Sequence, residues 1–168
     1  MAQDTAPGDW SETLQGVRGR LVVWHAKTSD GTRQLGIGVE IENLSGTLGP
    51  IPIWWTEMAD MLDFSLEDDA GKVIPMFGFP GNHMTPLPHW FELESGSTVR
   101  FTVSTDAYEY PSSKRVFLRP ITFQGWDLTG MAHRKLAIRA TFRTQPAKEP
   151  RRRAWTGPLA LPAVAVPD

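Results

Sequence analysis

At 168 residues, with 40% hydrophobic and 21% charged side chains, the chain has the size and composition of one globular domain that can bury a continuous core without covalent staples. It contains no cysteine, which excludes disulfides, thiolate nucleophiles and cysteine-ligated metal centres; no apolar run approaches the roughly 18 residues of a spanning helix, so no transmembrane segment is expected. The net charge of −2 hides a segregation, because residues 1–110 hold 6 basic and 16 acidic side chains whereas residues 111–168 hold 11 basic and 3 acidic ones. Acidic and basic strands lying side by side would neutralise one another; a surface with two poles would favour oriented contact with a charged partner or a neighbouring copy. A slightly acidic balance with no basic–aromatic strand motif argues against nucleic acid as a partner.

The opening Ala2-Gln3-Asp4-Thr5-Ala6-Pro7 is small and polar. It resembles the start of a mature exported chain, so a secreted or periplasmic location is expected, with a native cytosolic terminus as the other reading. Residues 1–15 read as a flexible amino-terminal segment and residues 16–168 as a single domain. Within it, period-two alternation dominates. Leu35, Ile37, Val39 and Ile41 share one face of a half-buried strand, with Gly36, Gly38, Glu40 and Glu42 on the other. The same pattern recurs over Thr98 to Ser104 and over Leu136 to Arg143. Further strands are expected around Val17 to Trp24, Ile51 to Trp55, Leu62 to Leu66, Lys72 to Met76, Val116 to Leu118 and Leu159 to Val166, about nine in all.

Between Leu66 and Val73, the run Glu67-Asp68-Asp69-Ala70-Gly71-Lys72 has the composition of a hairpin turn, with Gly71 suited to a positive φ. Trp54 to Asp63 has room for a helical turn or two. Phe77 to Trp90 is rich in glycine and proline and reads as one long loop, and such loops in compact domains are often functional. Pro146 to Arg153 reads as a basic connector into the last strand.

Three stretches, Ile37 to Ser45, Leu62 to Lys72 and Leu93 to Val103, together resemble a widespread bacterial immunoglobulin-like pattern. Their shared features are a strand ending in Asn43, an Asp-x-x-Gly-Lys hairpin, and a Leu-x-x-Gly-Ser turn before a strand. Families with this pattern include fibronectin-like modules and intracellular proteinase-inhibitor-like domains. The resemblance covers about the middle half of the chain and implies an all-β, antiparallel immunoglobulin-like sandwich, consistent with one dry and one wet face per strand. It also implies export or envelope association and a role in adhesion, inhibition or assembly. It carries no catalytic residue.

The chemistry-bearing side chains give few alternatives. Of the four histidines, His83 and His89 share the long loop, and with Met76 or Met131 nearby they are the candidates for copper or zinc, although their spacing matches no common motif. No Gly-x-Ser-x-Gly elbow occurs, and the pair Asp68 and Asp69 is better explained by the turn than by glycosidase chemistry. Gly36 and Gly38 lie on a wet strand face, where small residues let a neighbour approach closely. Seven tryptophans are more than the core of such a domain absorbs, and of the adjacent Trp54 and Trp55 an extended strand points one outward.

The sequence therefore reads as a non-enzymatic binding module without a cofactor. It would dock another protein, such as a multi-subunit complex or a neighbouring copy, through loops and an edge strand. The expected contact residues are Trp54, Trp55, Phe77, Phe79, Trp90, Arg151, Arg152 and Arg153. Carbohydrate binding on coplanar tryptophans is the alternative, and metal binding through His83 and His89 is the third reading.

Overall fold

The computed structural model describes residues 5–27, 33–46, 51–55, 61–78, 89–110, 113–118, 124–131, 134–144 and 155–166. Thirteen strands run through them, and every pairing is antiparallel. A seven-stranded sheet has the order β1 (Thr5–Pro7), β2 (Val17–Lys27), β3 (Arg33–Asn43), β9 (Thr98–Tyr110), β10 (Ser113–Leu118), β11 (Gln124–Asp127) and β7 (Phe77–Gly78). A four-stranded sheet runs β13 (Pro158–Ala165), β12 (Leu136–Arg143), β5 (Leu62–Asp68) and β6 (Val73–Ile74). A two-stranded ribbon pairs β4 (Ile51–Trp55) with β8 (His89–Leu93). Among the described residues no helix is long and apolar enough to cross a membrane.

Alternation explains why these segments come together. Val17, Leu21 and Val23 of β2, Ile37, Val39 and Ile41 of β3, and Leu66, Ile138, Phe142, Leu159 and Leu161 of the smaller sheet belong to one buried cluster. The two sheets meet closely where β13 crosses β2. A Cβ on Gly19 would lie 2.8 Å from Leu161 Cδ2 and 3.0 Å from Leu159 Cδ2, so any side chain there would push the two leucines aside. The ribbon closes another side of the core with Ile53 and Leu93, while Phe91 meets Phe101 edge-on at 5.7 Å.

Two buried polar anchors fix the ends of these elements. Asn43 donates from Nδ2 to the Leu93 carbonyl at 2.8 Å and accepts at Oδ1 from the Ser45 amide at 2.8 Å and from the Ser45 hydroxyl. Trp155, only 4% exposed, stacks on Phe142 and donates from Nε1 to the Leu14 carbonyl at 3.0 Å and from its amide to the Pro52 carbonyl at 2.9 Å. Its own carbonyl accepts from the Thr144 hydroxyl at 2.7 Å. Trp155 thus ties together the ribbon through its backbone amide, and the end of β12 and the amino-terminal segment through its indole.

That segment, set apart at 1–15 by the sequence reading, contributes β1 and then follows the edge of β2. Gly8 donates to the Leu21 carbonyl and Ser11 to that of Gly19, both at 2.8 Å. The tight turn into β2 takes Gln15 and Gly16 to φ of 50° and 80°. The expected hairpin of β5 and β6 is present, with Gly71 at φ 75°. The strand count exceeds the expected nine because β1, β7, β8 and β11 are short and carry no readable alternation. The expected loop of residues 77–90 begins and ends in strand, at β7 and β8, with 79–88 outside the described residues. Of the helical turn expected over 54–63, Trp54 and Trp55 belong to β4, residues 62–63 to β5, and 56–60 lie outside the described residues.

Replacing Asn43 by alanine leaves the Leu93 carbonyl and the Ser45 amide buried without their partner. Asn43→Ala is expected to lower unfolding free energy by about 2 kcal/mol, measured by chemical denaturation against the unaltered chain.

Candidate functional site

Two places gather chemistry-bearing residues. The first is the ribbon. Its register sets Trp54 opposite Trp90 and Trp55 opposite His89, so four of the expected loop and aromatic residues occupy two successive rungs of one small sheet. The rungs before them are Ile53 with Phe91, Pro52 with Glu92 and Ile51 with Leu93. Ile53 and Leu93 are buried while Glu92 is exposed, so this end of the ribbon rests on the core through its apolar rungs.

The second is the outer face of β2, β3 and β9, where register builds a grid. Arg18 faces Glu42 and Thr98; Arg20 faces Glu40 and Arg100; Val22 faces Gly38 and Thr102; Trp24 faces Gly36. Arg18 Nε lies 2.6 Å from Glu42 Oε2 and Arg20 Nε 2.6 Å from Glu40 Oε2. Arg100 donates from Nε to Glu40 Oε1 at 2.8 Å and bonds the same oxygen through Nη2. Trp10 lies against the two arginines of β2, its ring centre 4.5 Å from the Arg18 guanidinium and 4.4 Å from that of Arg20. Val22 is fully buried although it points away from Leu21 and Val23, so this face carries an apolar patch of its own.

Trp24 lies on the glycines. A Cβ on Gly36 would meet its Cε2 at 2.1 Å and Nε1 at 2.3 Å, and a Cβ on Gly38 would meet its Cζ3 at 3.1 Å. The close approach that Gly36 and Gly38 permit is thus made by an indole from the next strand, an aromatic residue covering strand glycines.

Three carboxylates, Glu40, Asp68 and Asp127, are held toward ionisation by their neighbours. Burial pushes Glu40 up, but hydrogen bonds from Arg100 and Arg20 and their charges outweigh it and hold the group below its ordinary value. Asp68 is held low by the Lys72 amide foremost, with the Ala70 amide and Arg134 adding to it against the effect of burial. Asp127 is held low by the Thr129 hydroxyl and amide, with Arg115 assisting against burial. These are the bonds of turns and ion pairs, and Asp68 and Asp69 serve the hairpin turn as expected.

Phe77 is half-buried, with the Arg115 guanidinium 5.5 Å from its ring centre. Met76 and Met131, considered as soft metal ligands, pack against the core. Phe79, His83, Arg151, Arg152 and Arg153 lie outside the described residues. Trp10, Trp24, Arg20 and Arg100 escape the sequence reading. The available signal was the pair of glycines, but the indole that uses them becomes visible only once β2 and β3 are in register.

Gly36→Ala is expected to force Trp24 off the sheet, to cost about 1–3 kcal/mol as an overpacking change, and to shift tryptophan emission to the red. Stability should also be lost in acid. A carboxylate with a lowered native pKa contributes stability that is complete above its unfolded value and disappears as the pH falls through the native one. Glu40 and Asp68, with ordinary values of 4.5 and 3.8, are both of this kind. The melting temperature should therefore hold near neutrality and drop as the pH falls below about 4.5, and Glu40→Gln should flatten part of that drop while lowering the neutral plateau. Compared with known proteins, the chain matches no family model, no curated protein and no solved structure.

Proposed function

We propose that the chain is a non-enzymatic, immunoglobulin-like β-sandwich module that docks another protein, with the β4–β8 ribbon at the centre of the contact. The observation that carries this reading is the register of Trp54 with Trp90 and Trp55 with His89. Residues 34 or more positions apart in sequence are gathered on a ribbon of only two strands. Cross-strand aromatic pairs such as Trp54 with Trp90 can supply the anchors of protein interfaces, and a two-stranded ribbon offers its backbone to an added strand. The sandwich reading is supported by two sheets that turn apolar faces to one buried cluster.

The test is to isolate a partner from the native extract, reconstitute the complex from purified components, and titrate it. Trp54→Ala and Trp90→Ala should each weaken association by about tenfold or more, as anchor residues do, with circular dichroism unchanged. A chain that stays monomeric without a partner, or a complex indifferent to both substitutions, overturns the reading.

A further inference from the structure

We propose that the outer face of β2, β3 and β9 is a carbohydrate-binding surface, with Trp24 as the stacking platform for a pyranose ring and Thr102, Arg100 and Glu40 as its polar rim. This is independent of protein docking through the ribbon and involves none of its residues.

The platform follows from the glycines. Gly36 lies under Cε2, Nε1 and Cζ2 of the indole, and Gly38 under Cζ3 and Cη2. A ring that covers two alternate positions of the neighbouring strand lies along the sheet instead of standing away from it. One side of the indole is therefore taken up by β3, and because Trp24 is only half-buried, its accessible area belongs to the opposite side and the edges. A flat aromatic surface of this kind matches the C–H face of a sugar ring.

The rim follows from the register. Thr102 stands opposite Gly38, and Arg100 opposite Glu40, one rung along. Neighbouring strands are about 4.8 Å apart and alternate residues about 6.8 Å apart, so both side chains fall within roughly the width of one sugar ring from the platform. Thr102 is exposed, and the Arg100 side chain is 49% exposed while Glu40 anchors it through Nε and Nη2. A guanidinium carries five N–H donors, and a hydroxyl both donates and accepts, which suits the paired donors and acceptors of sugar hydroxyls.

The charges of this face are held in pairs. Arg20 and Arg100 are both paired to Glu40, and Arg18 to Glu42. A neutral saccharide can bond the outward donors of Arg100 and leave these pairs in place. On this face Val22, Gly36, Gly38 and Glu40 are buried while Thr102 and Arg100 are exposed, so a sugar would meet the indole and the β9 side of the face.

The test is a titration of the isotope-labelled chain with cello-, xylo- and chito-oligosaccharides, followed by NMR. With at least one of them, saturable shifts are expected at the Trp24 indole N–H and at the amides of Gly36, Gly38 and Thr102. Trp24→Ala and Gly36→Ala should abolish these shifts. Since both changes disturb packing, Thr102→Val provides a change at an exposed position, and it should weaken binding by about three- to tenfold, the loss of one hydrogen bond, with the melting temperature unchanged. No saturable shift with any of the three series on the folded chain, binding that survives Trp24→Ala, or binding indifferent to Thr102→Val would each overturn the proposal.

Discussion

The packing of the two larger sheets depends on β13 crossing β2 at a position without a side chain. Leu159 and Leu161 occupy the space over Gly19 that a Cβ would fill, and this contact brings Ile138, Phe142 and the leucines of the smaller sheet against Leu21 and Val39. On the opposite face of the same sheet, Gly36 and Gly38 do for Trp24 what Gly19 does for the leucines. A strand glycine costs roughly 0.5–1 kcal/mol in backbone entropy. Burying a leucine returns about 1.5–3 kcal/mol, so each glycine is offset by what it lets in. The three central strands are thereby occupied on both faces, with aliphatic side chains inside and tryptophan and arginine outside.

The charge segregation along the chain resolves into strand pairing. Basic side chains from the second half, Arg139 and Arg143 of β12 and Arg134 just before it, meet Glu67, Asp63 and Asp68 of the acidic strand β5. Exposed pairs such as Arg143 with Asp63 contribute little stability, typically about 0–1 kcal/mol. Their larger effect is on register. Thr141 is the rung partner of Asp63 and Ala137 that of Glu67, so Arg143 and Arg139 each reach the carboxylate diagonal to their own position. A slip of one residue would place Ile138 and Phe142 in water and move both guanidiniums away from the acids. Charge and hydrophobicity specify the same alignment.

Alternation made the long strands legible. Leu136–Arg143 and Ile51–Trp55 end where their residue patterns do, and β2, β3 and β9 extend past the expected ends by a few residues each. The Asp68 turn was legible because its Asp-Asp-Ala-Gly order matches a local geometry. What escaped was everything fixed by distant pairing. His89-Trp90-Phe91-Glu92-Leu93 follows a proline-rich stretch and shows no clean alternation, and it becomes a strand by lying against Ile51–Trp55. The same limit applies to function. Trp54 and Trp55 can be singled out as unusual neighbours, with Trp90 as a third, but that Trp54 and Trp90 share a rung is a property of the register. Trp24 looks like one more core aromatic until β3 is placed beside it.

A ribbon of two strands is marginal when isolated, so the β4–β8 pair owes its order to what it rests on. Ile51, Ile53, Phe91 and Leu93 supply the apolar contact with the core. Contacts of that kind are non-directional and would tolerate a sliding ribbon. The directional restraints are the Pro52 carbonyl bonded to the Trp155 amide on one strand and the Leu93 carbonyl bonded to Asn43 Nδ2 on the other. Trp155 is in turn held by Leu14, Thr144 and Phe142, and Asn43 sits at the end of the strand that carries Gly36 and Gly38. The position of the tryptophan rungs is therefore set by two buried polar groups several residues away, each restrained by a different part of the fold. Loosening either one would free one strand of the ribbon while leaving the main core closed.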